Sequence, residues 1–230
     1  MPDPALLDNP VWHALDSLQK ALGISGDDAA LYDYLISIFA AVETPGNLET
    51  LTRLASQGRI LGLLTRPDEV AASLDGWDEM AQIPVHQMIY PNPTSDEAGH
   101  YGRRLNDDDA EAMFALAKLT EPGPFGKKTG QMGSYFGVDG DAGLISMAGE
   151  RFRLPGWTEV SGVCSHPEAR GKGYAFKLIK DVLRGIVAQN AGAFLHVRIG
   201  SPSEKTAVEL YERLGFEHHQ TMVVQILKRT

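Results

Sequence analysis

The sequence predicts an α/β fold of the α+β type with a helix-rich N-terminal region, and three observations predict it. Through roughly the first 55 positions apolar residues recur at intervals of three and four, the helical period. After about residue 100, short runs rich in Val, Ile, Phe and Tyr are interleaved with amphipathic helical stretches. Between the two, "PNPTSDEAGH" (91–100) concentrates turn formers and reads as a linker. The chain therefore divides into an N-terminal region, 1–97, and a C-terminal domain, 98–230.

Val11, Leu15, Leu18 and Leu22 form the first predicted helix, which Gly23 stops. Leu31, Leu35, Ile38 and Val42 repeat the spacing, and Tyr32, Ile36 and Phe39 widen the stripe. A second helix, covered over much of its surface, is expected across 31–42 and ends at Pro45-Gly46. A shorter one carries Leu48, Leu51 and Leu54 and stops at Gly58. "RILGLLT" (59–65) and "VHQMIY" (85–90) read as strands. No internal repeat or low-complexity tract is visible.

In the C-terminal part "HYGRRL" (100–105) is a candidate strand. "NDDDAEAMFALAKL" (106–119) is a helix capped by Asn106 or Asp107, and its acidic start suits the positive end of the helix dipole better than a metal. "SYFGV" and "LISMA" flank "DGDAG" as a hairpin. Asp139, Asp141 and Glu150 have the outer spacing of a calcium loop, but its sixth position needs glycine and holds Leu144, which rules it out. "GPFGKKTG" (123–130) lacks the glycine spacing of a phosphate-binding loop and reads as a flexible basic loop. Leu154-Pro155-Gly156-Trp157 has the residues of a type II turn and leads into the strand "TEVSGVC" (158–164). An amphipathic helix follows, with Leu178, Ile179, Val182, Leu183, Ile186 and Val187 on its stripe and Gly192 as its stop. "AFLHVRI" (193–199) is a strand. Ser201-Pro202-Ser203-Glu204 has the residues of a capping box with proline at the first helical position. Ala207, Val208, Leu210, Tyr211 and Leu214 form the stripe of the helix it opens, Gly215 ends that helix, and "HQTMVVQILK" (219–228) is a last strand.

Composition narrows the function classes. At 230 residues the chain can bury a sizeable core, and 43% apolar with 22% charged residues is ordinary globular composition. A net charge of -9, from 21 basic and 30 acidic residues, argues against a nucleic-acid-coating protein and agrees with a soluble enzyme, whose partner or substrate could be cationic. Cys164 is the only cysteine, so an intrachain disulfide is excluded; inside an apolar strand it reads as a small core residue before a nucleophile. "MPDPALLDNP" has no basic stretch followed by an apolar one, so no secretory signal is expected; with no apolar run of bilayer length, the expected compartment is the cytoplasm.

The segment that carries chemistry is Arg170-Gly171-Lys172-Gly173, between a strand and the first turn of a strongly amphipathic helix. First-turn N–H groups have no partner within the helix and carry partial positive charge. Glycines there let an anion approach the backbone closely. The pattern points to a phosphate or pyrophosphate held by main-chain donors, with Arg170 and Lys172 adding charge; a tight turn without a ligand would use the same residues. A dinucleotide fingerprint is excluded, because Phe176 stands where a third glycine is needed.

"VCSHPEARGKGYAFKLI", followed after one strand by "AVELYERLGF", resembles the GNAT superfamily of N-acetyltransferases. Arg170-Gly171-Lys172-Gly173-Tyr174-Ala175 matches that family's Arg/Gln-x-x-Gly-x-Gly/Ala acetyl-CoA loop at each fixed position, and Val163, Pro167 and the Leu-Tyr-Glu-Arg-Leu-Gly-Phe run fit as well. The resemblance covers about 99–230; some relatives carry a second, degenerate half, which leaves that role open for the N-terminal region.

The resemblance implies a mixed, mostly antiparallel sheet flanked by helices, and an enzyme moving an acetyl group from acetyl-CoA to a primary amine by direct transfer, with no metal. Two neighbouring parallel strands, 159–164 and 193–199, should splay to admit the pantetheine arm. Main-chain groups of Val163, Cys164 and Ser165 would hold that arm, and the Val163 N–H is the expected donor to the thioester carbonyl, where it would stabilise the developing oxyanion. Gly162 would house the bulge that spreads the strands, or merely allow close packing. Arg170, Gly171, Lys172, Gly173, Tyr174 and Ala175 would cradle the pyrophosphate. Tyr211 matches the tyrosine that protonates the departing thiolate, although it also lies on the apolar stripe and would serve packing there. Glu159 is the first candidate for the general base and His196 the second; a polar strand residue facing solvent is the plain alternative for both. Glu204 stands where many relatives have a cofactor-contacting asparagine, and the capping role is preferred for it. The acceptor is a small-molecule or peptide amine, without nucleic acid or membrane, and self-association into a homo-oligomer stays open. A longer acyl-CoA on the same fold, or a silent acyl-CoA-sensing module, are the rival readings.

Overall fold

Asn9 caps the first helix, α1 (Pro10–Leu15), by accepting from the Trp12 N–H, and Pro10 occupies the first helical position, where its missing N–H goes unused. The computed structural model, which describes residues 2–72, 75–94, 99–141 and 143–230, ends that helix earlier than the spacing suggests and leaves Leu18 exposed. The chain continues into β1 (Gly23–Ser25) and then departs from the expected second helix. Residues 31–42 instead belong to two strands, β2 (Ala29–Tyr32) and β3 (Phe39–Val42), joined by a turn in which Asp33 accepts from the Leu35, Ile36 and Ser37 N–H groups. Every residue of both strands is buried. A strand covered on both faces has no polar alternation, so its apolar run imitated helical spacing. Next come α2 (Glu49–Leu54), β4 (Ile60–Thr65) and the long β5 (Trp77–Tyr90). Among the described residues, three short 3-10 turns, Pro4–Asp8, Lys20–Leu22 and Pro67–Glu69, complete the helical part of the region. Residues 95–98, where the division between 1–97 and 98–230 falls, lie outside the described residues.

The C-terminal elements follow the expected order: β6 (Arg103–Leu105), α3 (Ala110–Thr120), β7 (Tyr135–Gly140), β8 (Gly143–Leu154), β9 (Trp157–Ser165), α4 (Tyr174–Ala188), β10 (Gly192–Arg198), α5 (Glu204–Arg213) and β11 (Glu217–Arg229). Asn106 is the cap before α3, and Asp109 reciprocates by accepting from the Asn106 N–H. The loop 123–130 is pinned rather than free: the Thr129 hydroxyl donates to the Ile36 carbonyl, and the Lys128 N–H to the Leu35 carbonyl at 2.8 Å.

All strands among the described residues join one eleven-stranded sheet in the order β1-β2-β3-β4-β11-β5-β10-β9-β8-β7-β6. Its pairs are antiparallel except β3 with β4 and β9 with β10. The two parallel pairs stand symmetrically about the central β11–β5 pair. Each half of the chain thus sends its last long strand across: β5 pairs with β10, and β11 with β4. One face is covered by α4 and α5, which bury Val160, Leu178, Val182, Leu195 and Tyr211 together. On the other face Val11, Trp12, Tyr32 and Phe39 pack with Met132, Phe152, Trp157, Phe194 and Met222, so this core belongs to both regions. No helix among the described residues is long and apolar enough to cross a membrane.

An isolated fragment 101–230 would lose both neighbours of β11 and half of the shared core. It is expected to be poorly soluble, or to bind acetyl-CoA weakly, because large apolar surfaces become exposed. A soluble fragment with full affinity would show that residues 1–97 are merely appended.

Candidate active site

β9 and β10 pair in parallel only from Trp157/Gly192 to Glu159/Phe194. Beyond that point β10 runs along β5 to Arg198, while β9 stays with β8 to Ser165. The strands diverge, and the edge of β9 over 160–165 faces a gap instead of a strand. Gly162 has φ +62, and the β8–β9 register shifts across it. This is the expected bulge, and it inverts the side-chain alternation. Val160 and Val163 consequently both pack on the α4 side, while Cys164 turns into the cluster under α3. The far edge of β9 is tied down where Ser146 donates to the Cys164 carbonyl at 3.1 Å. Burial pushes the Cys164 thiol up to about 11, so it is no nucleophile at neutral pH.

Past β9 the chain makes a 3-10 turn, Pro167–Ala169, and reaches α4 through Arg170, Gly171, Lys172 and Gly173, all exposed. Gly171 and Gly173 have φ +75 and +77, a region other residues enter only with strain. No atom lies within 4 Å of where a Cβ on either would stand. Gly173 caps α4 without any side-chain bond, so the first-turn amides of Tyr174 and Ala175 face this open space. A tight turn alone needs one such glycine; two, around an open helix start beside a strand gap, make a cradle for an anionic group.

Tyr211 on α5 lies in the same apolar cluster as Val163 and Val197, which flank the gap. Its ring meets Phe216 edge-on at 5.9 Å, and its hydroxyl has no hydrogen-bond partner among the described residues. Burial, with a smaller effect from the Glu159 charge, pushes its phenol well up, so it stays protonated. Before α5 the expected capping box does not form, because the helix begins at Glu204 with Ser203 at the cap position, two residues later than Pro202 suggested. Glu204 reaches back to the Gly200 N–H at 2.6 Å and lies 2.9 Å from His86 Nε2, while the Ser203 side chain caps nothing. Glu204 is thus engaged in tying the loop before α5 and the helix itself to β5.

The opposite face carries a charged cluster. Glu159 is 0% exposed; Arg151 donates to both its carboxylate oxygens at 2.7 and 2.6 Å, and His196 Nδ1 lies 2.7 Å away. Burial alone would push this carboxyl up, but the Arg151 charge and the hydrogen bonds from Arg151 and His196 outweigh it and hold it at about 2. The amide nitrogen of Gln87 lies 3.2 Å from His196 Nε2 and can only donate, which turns Nδ1 toward the Glu159 carboxylate. Gln220 donates to Gln87 Oε1 at 2.9 Å. Arg151, Glu159, His196, Gln87 and Gln220 therefore form one lateral chain across the consecutive strands β8, β9, β10, β5 and β11. Neither candidate base keeps a free basic atom, and the geometry gives Glu159 the task of neutralising Arg151 and orienting His196.

Tyr135 on β7 lies flat across β8, because its register partner Gly149 has no side chain: a Cβ there would stand 2.3 Å from the ring. Its hydroxyl comes to 3.2 Å from where a Gly162 Cβ would be and has no partner of its own. Phe125, in the pinned loop, meets this ring edge-on at 5.9 Å and packs on the same spot. Beside them a cavity of about 380 Å³ is lined by Leu105, Ala110, Met113, Gly130 and Tyr135. Sequence reasoning missed Tyr135 and Arg151; the only available signal was the pair of isolated strand glycines, Gly149 and Gly162.

In the N-terminal half, β3 and β4 also part after two paired residues, Phe39/Gly62 and Ala40/Leu63. That notch is plugged, however. Asn9 donates from Nδ2 to the Val42 carbonyl at 2.8 Å, and the remaining cavity is about 10 Å³, room for one water at most. Among the described residues no group of three His, Cys, Asp or Glu side chains is placed to hold a metal.

A family profile described as FR47-like protein matches residues 135–224. Among solved structures, a GNAT-family protein from Novosphingobium aromaticivorans is 35% identical, with 100% of both chains covered and a TM-score of 0.86. A GCN5-related N-acetyltransferase from Kribbella flavida is 16% identical, with 98% of this chain and 94% of that one covered and a TM-score of 0.59. A GCN5-related N-acetyltransferase-like protein from Streptococcus suis is 14% identical, covering 96% and 92%, with a TM-score of 0.56. The last two speak to the fold alone. A comparison with curated proteins gives no match.

Proposed function

Because the chain belongs to the GNAT superfamily of N-acetyltransferases, we propose that it moves an acetyl group from acetyl-CoA to a primary amine by direct transfer in a ternary complex. The observation that carries this reading is the open gap between β9 and β10 leading to the unobstructed cradle at Gly171 and Gly173. The pyrophosphate sits on the α4 first-turn amides, helped by Arg170 and Lys172. The pantetheine arm fills the gap along Val163, Cys164 and Ser165. The Val163 N–H polarises the thioester carbonyl. The amine nitrogen attacks that carbon, the C–N bond forms, the C–S bond breaks, and Tyr211 gives the leaving thiolate a proton. The nitrogen's surplus proton leaves to water, since Glu159 and His196 are saturated, and Tyr211 regains its own from solvent. The N-terminal region is a degenerate second half, supported by the paired parallel strands and exchanged central strands, with its own notch closed by Asn9.

The test is calorimetric titration with acetyl-CoA, joined to an assay of coenzyme A release against pooled primary amines. Tight binding with amine-dependent release is expected. Preference for octanoyl-CoA would redirect the reading to a longer acyl group, and binding without release from any amine would make the protein a sensor. Gly173→Val is expected to weaken acetyl-CoA by about 100-fold or more, the loss of two charge-assisted hydrogen bonds, while the fold survives in this open turn. Gly171→Val should act alike, and Lys172→Ala should do much less, because an exposed charge is screened. Unchanged affinity in both glycine variants would remove the phosphate cradle.

A further inference from the structure

The Tyr135 hydroxyl is the one tyrosine oxygen among the described residues that is fully enclosed and unpartnered, on a residue only 2% exposed. Such a group destabilises the free protein, since it has left water without gaining a replacement bond. Everything around it nonetheless brings it to one place. Gly149 clears the path across β8, and Gly162 clears its end point, the bulge beside Val163. A Cβ at either position would meet the Tyr135 ring at under 3 Å, 2.3 Å at Gly149 and 2.9 Å at Gly162. The hydroxyl therefore lies one residue from the main-chain donor assigned to the thioester carbonyl. It stands on the side of the sheet opposite α4, where the charged cluster of Arg151 and Glu159 lies.

We propose that Tyr135 is a positioning residue for the acceptor: its hydroxyl oxygen accepts an N–H of the neutral primary amine and turns the nitrogen lone pair toward the thioester carbon. This rests on the acetyltransferase reading of the gap. A neutral amine has two hydrogens besides its lone pair, and fixing one of them fixes the direction of attack. The acceptor reaches the enclosed hydroxyl by displacing the Phe125 ring, which covers the same spot, and the adjoining cavity leaves room for its remainder. An unpaired oxygen in the free protein is what a site looks like when its partner arrives only with the substrate.

Tyr135→Phe keeps the ring and removes only this oxygen. The experiment compares wild type and variant in thermal unfolding, in acetyl-CoA titration, and in initial rates of coenzyme A release with benzylamine, spermidine and a lysine-containing peptide. The expected result has three parts: a melting temperature unchanged or raised, an unchanged acetyl-CoA Kd, and a kcat/KM for the amine lowered about 10-fold or more. A lower melting temperature would overturn the proposal, because the oxygen would then have a structural partner. So would kinetics equal to wild type. If the wild type fails to bind acetyl-CoA or acetylates none of the three amines, the acetyltransferase reading falls and this proposal with it. An active wild type with an equally active variant removes the Tyr135 role alone.

Discussion

Tyr211→Phe is expected to lower turnover by about 100-fold or more at saturating acetyl-CoA, with cofactor affinity nearly unchanged. The substitution keeps the ring in the cluster with Val163, Val197 and Phe216 and removes an oxygen that bonds nothing among the described residues. Stability should therefore hardly move. Burial keeps the phenol protonated across the working pH range, so it is available as a donor as soon as the C–S bond begins to break. Saturating cofactor is essential, so that a binding defect does not imitate a chemical one. A phenylalanine variant that turns over normally, with its chemical step shown to limit the rate, would remove the acid assignment and leave water as the donor. The cradle at Gly171 and Gly173 would be untouched by that result.

Glu159→Gln should cost the largest amount of stability. It leaves the buried Arg151 guanidinium without its counter-charge, a loss of about 3–5 kcal/mol. For a chain of this size that corresponds to a fall in melting temperature of about 10 °C. Replacing both partners, Arg151→Met with Glu159→Leu, should recover much of it, because no orphaned charge remains. The same pair predicts a pH response. The Glu159 carboxyl is held at about 2 in the folded chain against an ordinary value of 4.5, so the native state binds fewer protons than the unfolded state between them. That stabilisation is whole above about pH 4.5 and drains away as pH falls toward 2. Wild-type melting should drop steeply in this window, and the Gln variant should lack that component. A Gln variant melting within a couple of degrees of wild type at neutral pH would show that the pair does not hold the sheet.

Much of the C-terminal half was readable in advance, and the reason is amphipathicity. α4 and α5 each bury one stripe and show the other to water, so their periodicity survives in the sequence, and glycines mark where α4 begins and α5 ends. β2 and β3 lie inside the sheet with both faces covered, and that erased the alternation by which strands are recognised. The first part of β5, "WDEMAQIP", is mostly exposed, and its apolar residues Trp77, Met80, Ala81 and Ile83 do not alternate with polar ones as a half-buried strand would. At the candidate site, the left-handed loop glycines and the place of Tyr211 beside Val163 could be expected, because each has a fixed position in a short motif. Arg151 and Tyr135 were not, since they meet Glu159 and Gly162 only through strand neighbours, and register is invisible in one chain. Glu159 was found by position, but nothing local reveals that an arginine eight residues away closes over it.

The exchange of central strands also sets an order in time. β4 and β5 are made early, yet the strand that joins them, Glu217–Arg229, is the last of the eleven to be synthesised. Until it emerges, β4 has an open edge on one side of the molecule and β5 on the other. The nascent chain therefore carries two sticky strand edges through most of its translation. Assembly of the sheet is a closing event, dominated by contacts between residues more than a hundred positions apart, and such contacts form slowly. Emergence of Glu217–Arg229, and not the growth of either half, is the step at which this sheet closes.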